Sequence, residues 1–176
     1  FKVWEGGMAF HGGLIGVICV ITFFCRHRKL SILAVSDAVA CAAPIGLFFG
    51  RIANFINGEL FGRVSDVPWA MIFPRGGILP RHPSQLYEAG LEGLVLFVCL
   101  LCLSRRRELR ERPGFLSGSF LIGYAVFRVF IEFYREPDNH IGLLFDNFTT
   151  GQFLSAPLLF LGVYFVLTSK KMKGST

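Results

Sequence analysis

Five apolar segments, 8–25, 30–50, 84–103, 115–134 and 151–168, leave this chain few ways to fold. The shortest gives roughly 27 Å of helix at about 1.5 Å per residue, close to the hydrocarbon thickness of a bilayer. Inside hydrocarbon every backbone N–H and C=O must find a partner within the protein, so stretches of this kind read as helices. Composition points the same way: 53% hydrophobic residues and 20 Phe in 176 are too apolar for an ordinary soluble domain. The expected fold is an all-α polytopic integral membrane protein with five transmembrane helices in one domain, 1–176. A small extracytoplasmic segment, 51–83, separates the second span from the third.

The net charge of +6 does not form a nucleic-acid-binding face. Its basic residues cluster after alternate spans: Arg26, Arg28 and Lys29, then Arg105, Arg106, Arg107, Arg110 and Arg112, then Lys170, Lys171 and Lys173. The positive-inside rule puts these clusters in the cytoplasm, with the beginning of the chain outside and its C-terminus inside. The five cysteines, Cys19, Cys25, Cys41, Cys99 and Cys102, lie in or at the ends of apolar segments and imply no disulfide framework. Cys99 and Cys102 have redox or metal spacing, but with leucine flanks and no second pair they read as packing residues. The start at Phe1, without a leader-like segment, is expected to reflect an N-terminally incomplete chain.

Polar residues interrupt this apolar background mainly at the outer ends of the spans. Gly50 to Arg63 reads Gly-Arg-Ile-Ala-Asn-Phe-Ile-Asn-Gly-Glu-Leu-Phe-Gly-Arg. Charge beside hydrocarbon is costly and marks a site by default, and arginine forks with glycine backbones suit a lipid phosphate. The competing reading is a polar loop with a snorkelling arginine. His11 opens the first span among Gly12, Gly13 and Gly16, either as a hydrogen-bonded structural residue or as a base. Asp37, near the inner end of the second span, reads as a helix–helix contact. Pro83 and Ser84 suit the start of the third span, whose Gln85, Glu88 and Glu92 make a polar stripe. In the fourth span Tyr124, Arg128, Glu132 and Arg135 line one face. Trp69 and Phe73, in the outer segment, suit the head-group layer, with two short extended runs around the turn Arg75-Gly76-Gly77.

His11, Arg51, Asn54, Asn57, Glu59, Gln85, Glu88, Arg128 and Glu132 thus share one depth, which points to one common site. Two arginines for an anion, a histidine for a proton and carboxylates to orient them fit a reaction in which a phosphate is bound or leaves.

The motifs His11-Gly-Gly-Leu-Ile-Gly16, Gly50 to Arg63, Arg81-His-Pro-Ser-Gln-Leu-Tyr-Glu88 and Arg128 to Asp138 occur in collinear order. In these the chain resembles the bacterial phosphatidylglycerol–prolipoprotein diacylglyceryl transferases, and specifically the last five of that family's seven spans. The resemblance implies transfer of the sn-1,2-diacylglyceryl group from phosphatidylglycerol to the lipobox cysteine of a prelipoprotein signal peptide. A thioether forms and glycerol phosphate leaves, the first step of lipoprotein maturation. The setting implied is the bilayer of the bacterial cytoplasmic (inner) membrane, with the active site facing the outer leaflet and no metal or soluble cofactor. By motif position Arg51 and Arg128 match the family's essential arginines and His11 its proposed base. Asn54, Asn57, Glu59, Gly62, Tyr124 and Glu132 fall in substrate-binding motifs. Ala53 departs from the glycine common there.

A transporter or flippase for an anionic lipid would use the same arginines without chemistry. It would need polar residues through the full bilayer depth, whereas here the inner halves of the first, third, fourth and fifth spans are nearly all apolar and only Ser36 and Asp37 interrupt that of the second. A scaffold whose charges merely pair helices leaves the asparagine–glycine–glutamate motif unexplained.

Overall fold

The computed structural model describes residues 10–136 and 150–170, and its regular secondary structure there is helical. Helices α1 (Phe10–Arg28) and α2 (Ile32–Ile56) are followed by α3 (Ser84–Glu88), a π-helical segment (Ala89–Val95) and α4 (Leu96–Arg105). The short α5 (Arg107–Arg110), α6 (Phe115–Ile131) and α7 (Thr150–Thr168) complete the chain. From α3 to α4 the backbone is one continuous rod, Ser84–Arg105. That rod and α2 are long and apolar enough to cross a membrane, and Phe115–Ile131 and Gln152–Thr168 are shorter apolar helices. Phe23, Phe49, Phe160 and Leu167 are at least 65% exposed, a surface suited to apolar surroundings rather than water.

Small residues set the closest helix crossing. A Cβ added to Gly118 of α6 would lie 2.7 Å from the carbonyl oxygen of Gly162 in α7, and one on Gly162 would lie 2.8 Å from that of Gly118. Only glycine permits this approach, the usual way to pack helices tightly where hydrophobicity gives no drive. Asp37 is the interhelical contact its position suggests. Its Oδ2 accepts from Gly114 N at 2.8 Å, and its Oδ1 accepts from Ser117 N and Ser117 Oγ at 2.7 and 2.6 Å. The α2 carboxylate therefore caps α6, where free N–H groups and the helix dipole favour negative charge. Arg112 closes the other side, donating from Nε and Nη2 to the Ser169 carbonyl oxygen beyond α7 at 3.2 and 2.9 Å.

Helix α2 continues past Gly50, the end of its apolar run, because nothing from Arg51 to Ile56 breaks a helix. It stops at Asn57, followed by Gly58 at φ 65°, a left-handed geometry that glycine adopts without strain. Arg51 and Asn54 consequently stand on a rigid helix instead of a loop.

The connection from Asn57 to Pro83 folds across the ends of α3 and α6. The expected extended runs shrink to isolated bridges, Val64 with Arg81 and Met71 with Arg81. Side chains do the rest: Arg81 donates to the Gly76 and Gly62 carbonyl oxygens at 3.0 and 3.3 Å and to Glu136 at 2.7 Å. Phe73 does not reach toward a head-group layer. It is buried with the Phe55 and Phe61 rings at centroid distances of 6.1 and 5.5 Å, while Trp69 stays exposed. Gly62 is pinned between both helices, its N–H donating to the His82 carbonyl oxygen at 2.9 Å and its backbone bridging Arg135. A Cβ there would come within 2.5 Å of the Tyr134 carbonyl oxygen, so glycine is required.

Candidate active site

Helical spacing builds the site from three directions. Glu88 ends α3 and Glu92 follows four residues later in the π segment, placing both carboxylates on one face of the rod. On α6, Arg128 and Glu132 have the same spacing, with Tyr124 one turn before them and Arg135 just after. Arg51 comes from the last turns of α2. The π segment is a wide turn of a kind that recurs at functional sites.

These elements meet in a buried cluster of charges. Arg51 Nε lies 2.6 Å from Glu88 Oε2, and Arg51 Nη2 lies 3.7 Å from Glu92 Oε2. Arg128 Nη1 lies 3.7 Å from Glu88 Oε2 and 3.9 Å from Glu92 Oε1, while its Nη2 is 3.5 Å from Glu132 Oε2. Arg135 Nη1 lies 3.8 Å from Glu88 Oε1. Three arginines thus face three carboxylates, and Glu88 and Glu92 have no exposure to solvent. Charges this deep require partners, since an isolated buried ion would be prohibitively costly.

The pairing is electrostatic more than directional. Both oxygens of Glu88 and Glu92, Glu132 Oε2 and Arg128 Nη1 make no directed hydrogen bond among the described residues. Even the 2.6 Å contact of Arg51 lies off its N–H axis. Arg128 Nη1 is therefore held at charge-pairing distance without being consumed, which suits an incoming anion.

The structure brings five of the residues singled out by sequence to this cluster: Arg51, Glu88, Arg128, Glu132 and the half-buried Tyr124, which is within electrostatic reach of Glu92, Arg128 and Arg51. Asn54, Asn57, Glu59 and Gly62 lie instead at the end of α2 and in the roof that follows. The Asn54 carbonyl oxygen accepts from Glu59 N at 2.9 Å, and Asn57 is exposed. The Glu59 side chain turns outward to Arg75, with Oε1 accepting from Nη1 at 2.5 Å. The roof backbone is fastened to the rod by Ser84 Oγ, donating to the Leu60 carbonyl oxygen at 3.1 Å, and by Gln85 Nε2, donating to that of Glu59 at 2.5 Å. His11 falls in the first turn of α1, and its side chain lies outside the described residues, as do 137–149, Lys171 and Lys173.

Sequence reasoning leaves Glu92 and Arg135 out of the common site, although both continue the polar stripes of their helices. It also does not foresee a hydrogen-bonded chain on another face of the rod. Trp69 Nε1 donates to Tyr87 Oη at 2.6 Å, and that hydroxyl meets His82 Nδ1 at 3.1 Å. This chain edges an apolar cavity of about 540 Å³ that Leu91, Leu94 and Tyr134 help to line.

Residues 1–168 match the family model described as prolipoprotein diacylglyceryl transferase. The chain belongs to this family. It is 58% identical to the phosphatidylglycerol–prolipoprotein diacylglyceryl transferase of Rhodospirillum rubrum, over 97% of this chain and 63% of that relative. With the enzymes of that name from Paramagnetospirillum magneticum and Zymomonas mobilis the identities are 59% and 53%, over 92% and 97% of this chain and 60% of each relative. The chain thus spans about three fifths of the length of these curated relatives. The buried cluster draws on three separate stretches of the sequence: Arg51 from the run Gly50 to Arg63, Glu88 from the end of His-Pro-Ser-Gln-Leu-Tyr-Glu, and Arg128, Glu132 and Arg135 from the end of α6 and just beyond it.

Proposed function

We propose that the protein transfers the diacylglyceryl group of phosphatidylglycerol to the lipobox cysteine of a prelipoprotein signal peptide, with Arg51 and Arg128 binding the lipid phosphate. The observation that carries this reading is the convergence of the two guanidiniums, from α2 and α6, on one buried locus where Arg128 Nη1 makes no directed hydrogen bond. Family membership supplies the reaction class.

In the proposed reaction the cysteine thiol gives up its proton, and the sulfur attacks the diacylglyceryl carbon bonded to the phosphate oxygen. A C–S bond forms, the C–O bond breaks, and glycerol phosphate leaves with the electron pair. Negative charge moves from sulfur to phosphate, so a fixed pair of arginines stabilises the transition state more than the ground state. His11 receives the thiol proton. A thiol of pKa about 8.5 needs only modest activation near neutral pH. Tyr124 and Glu132 hold Arg128, and Asn54, Asn57, Glu59 and Gly62 form the outer rim against which the substrates bind. The five apolar helices cross the bacterial cytoplasmic (inner) membrane, the site opens toward the outer leaflet, and the C-terminus is cytoplasmic. Alternate basic clusters support that orientation.

The test uses the full-length protein in detergent with phosphatidylglycerol and a lipobox peptide, following peptide mass and glycerol phosphate together. A diacylglyceryl mass gain with matching release, absent from a Cys→Ser peptide, is expected. Lipid binding with neither product would contradict the reading. With His11→Gln, the acid-side fall in rate near the histidine range, about pH 6.5, is expected to disappear.

A further inference from the structure

The geometry points to Glu88 as the positioning residue that makes one clamp out of Arg51 and Arg128. This rests on the reading of those arginines as ligands of the lipid phosphate. Glu88 Oε2 is shared, 2.6 Å from Arg51 Nε on one side and 3.7 Å from Arg128 Nη1 on the other. Its Oε1 lies 3.8 Å from Arg135 Nη1, so a single carboxylate touches arginines from α2, from α6 and from the turn after α6.

Two features separate positioning from simple pairing. Glu88 meets Arg51 through Nε, at the side of the guanidinium, and leaves Arg128 Nη1 without a directed partner. A bidentate fork-to-fork pair would have consumed the donors that a phosphate needs. Glu88 is also fixed: it is fully buried at the junction of α3 with the π segment, directly before the buried Ala89. Its carboxylate has no route to water, so the arginines come to it.

Without that charge, three guanidiniums would share a poorly solvated site with only Glu92 and Glu132, and mutual repulsion would spread them. Glu92, at 3.7 Å from Arg51 and 3.9 Å from Arg128, is a more distant second support. The clamp spacing therefore depends on Glu88, although Glu88 itself has no role in bond making.

The experiment compares full-length wild-type protein with Glu88→Gln in phosphatidylglycerol-containing nanodiscs, measuring lipid affinity and the kcat and KM for a lipobox peptide. In Glu88→Gln, turnover is expected to fall about 100-fold, the scale of breaking a buried ion pair, with the peptide KM unchanged. Adding Arg51→Lys should then cost less than about threefold more, because without Glu88 the Arg51 fork is already out of place for the phosphate. Turnover within threefold of wild type, a peptide KM that rises in step, or losses that multiply would overturn the proposal. Where Glu88→Gln does not fold, Glu88→Asp keeps the charge at shorter reach; an intermediate loss of about tenfold is expected, and wild-type turnover would overturn the proposal. If wild-type protein binds phosphatidylglycerol but makes no thioether, the transfer reading fails while this one is still decided by lipid affinity. Glu88→Gln or Glu88→Asp must then bind at least tenfold more weakly, and equal affinity overturns it.

Discussion

Among the described residues, buried carboxylates occur in two regions, and they are treated in opposite ways. Both Asp37 oxygens are satisfied, by Gly114 N on one side and by Ser117 N and Oγ on the other, all within 2.8 Å. The oxygens of Glu88 and Glu92, buried more completely, face arginines yet make no directed hydrogen bond. At Asp37 the charge is spent on the protein, joining α2 to α6. At Glu88 and Glu92 it fixes Arg51 and Arg128, and Arg128 Nη1 keeps its donor for something else. Buried charge alone therefore does not identify a site; the unspent hydrogen-bonding capacity around it does.

Substitutions can break or sharpen this contrast. The largest effect is expected from Arg128→Lys, which keeps the charge but loses the planar fork. Transfer should fall at least about 100-fold with the unfolding midpoint little changed, and near-normal turnover would remove the distinction. Asp37→Ala should do the reverse: stability to denaturant drops by about 3 kcal/mol because two backbone donors and a hydroxyl lose their acceptor, while turnover per folded molecule stays within a few-fold. Gly62→Ala forces a Cβ against backbone oxygens at the roof and should cost about 2 kcal/mol, read as a lowered melting temperature. Arg75→Ala removes an ion pair whose side chains are 65% and 42% exposed, and should change stability and turnover by less than about 1 kcal/mol equivalent.

Helical period makes the stripes of the cluster legible in sequence: Tyr124, Arg128, Glu132 and Arg135 fall on one helical face, and Gln85, Glu88 and Glu92 on one face of the rod. Among the described residues each apolar segment overlaps a helix, although α2 runs on to Ile56 and α6 ends at Ile131. Spacing does not say which stripes meet, because that depends on close helix packing. Glu92 and Arg135 consequently join the site only in three dimensions. The end of α2 is obscured because Gly50 ends the apolar run, whereas the helix is stopped seven residues later by Asn57 and Gly58. Phe73 looks interfacial by composition but is buried by Phe55 and Phe61, which lie far from it in sequence. Asn54, Asn57, Glu59 and Gly62 share one motif, but its side chains diverge once the helix ends, and Glu59 turns toward Arg75.

The most direct measurement is an experimental structure of the full-length protein with phosphatidylglycerol bound. The account predicts phosphate oxygens within about 3.2 Å of donors on both Arg51 and Arg128, with Glu88 still between the two guanidiniums. A phosphate seated elsewhere, for instance beside His82 and Tyr87, with the arginine–glutamate cluster unchanged, would contradict it.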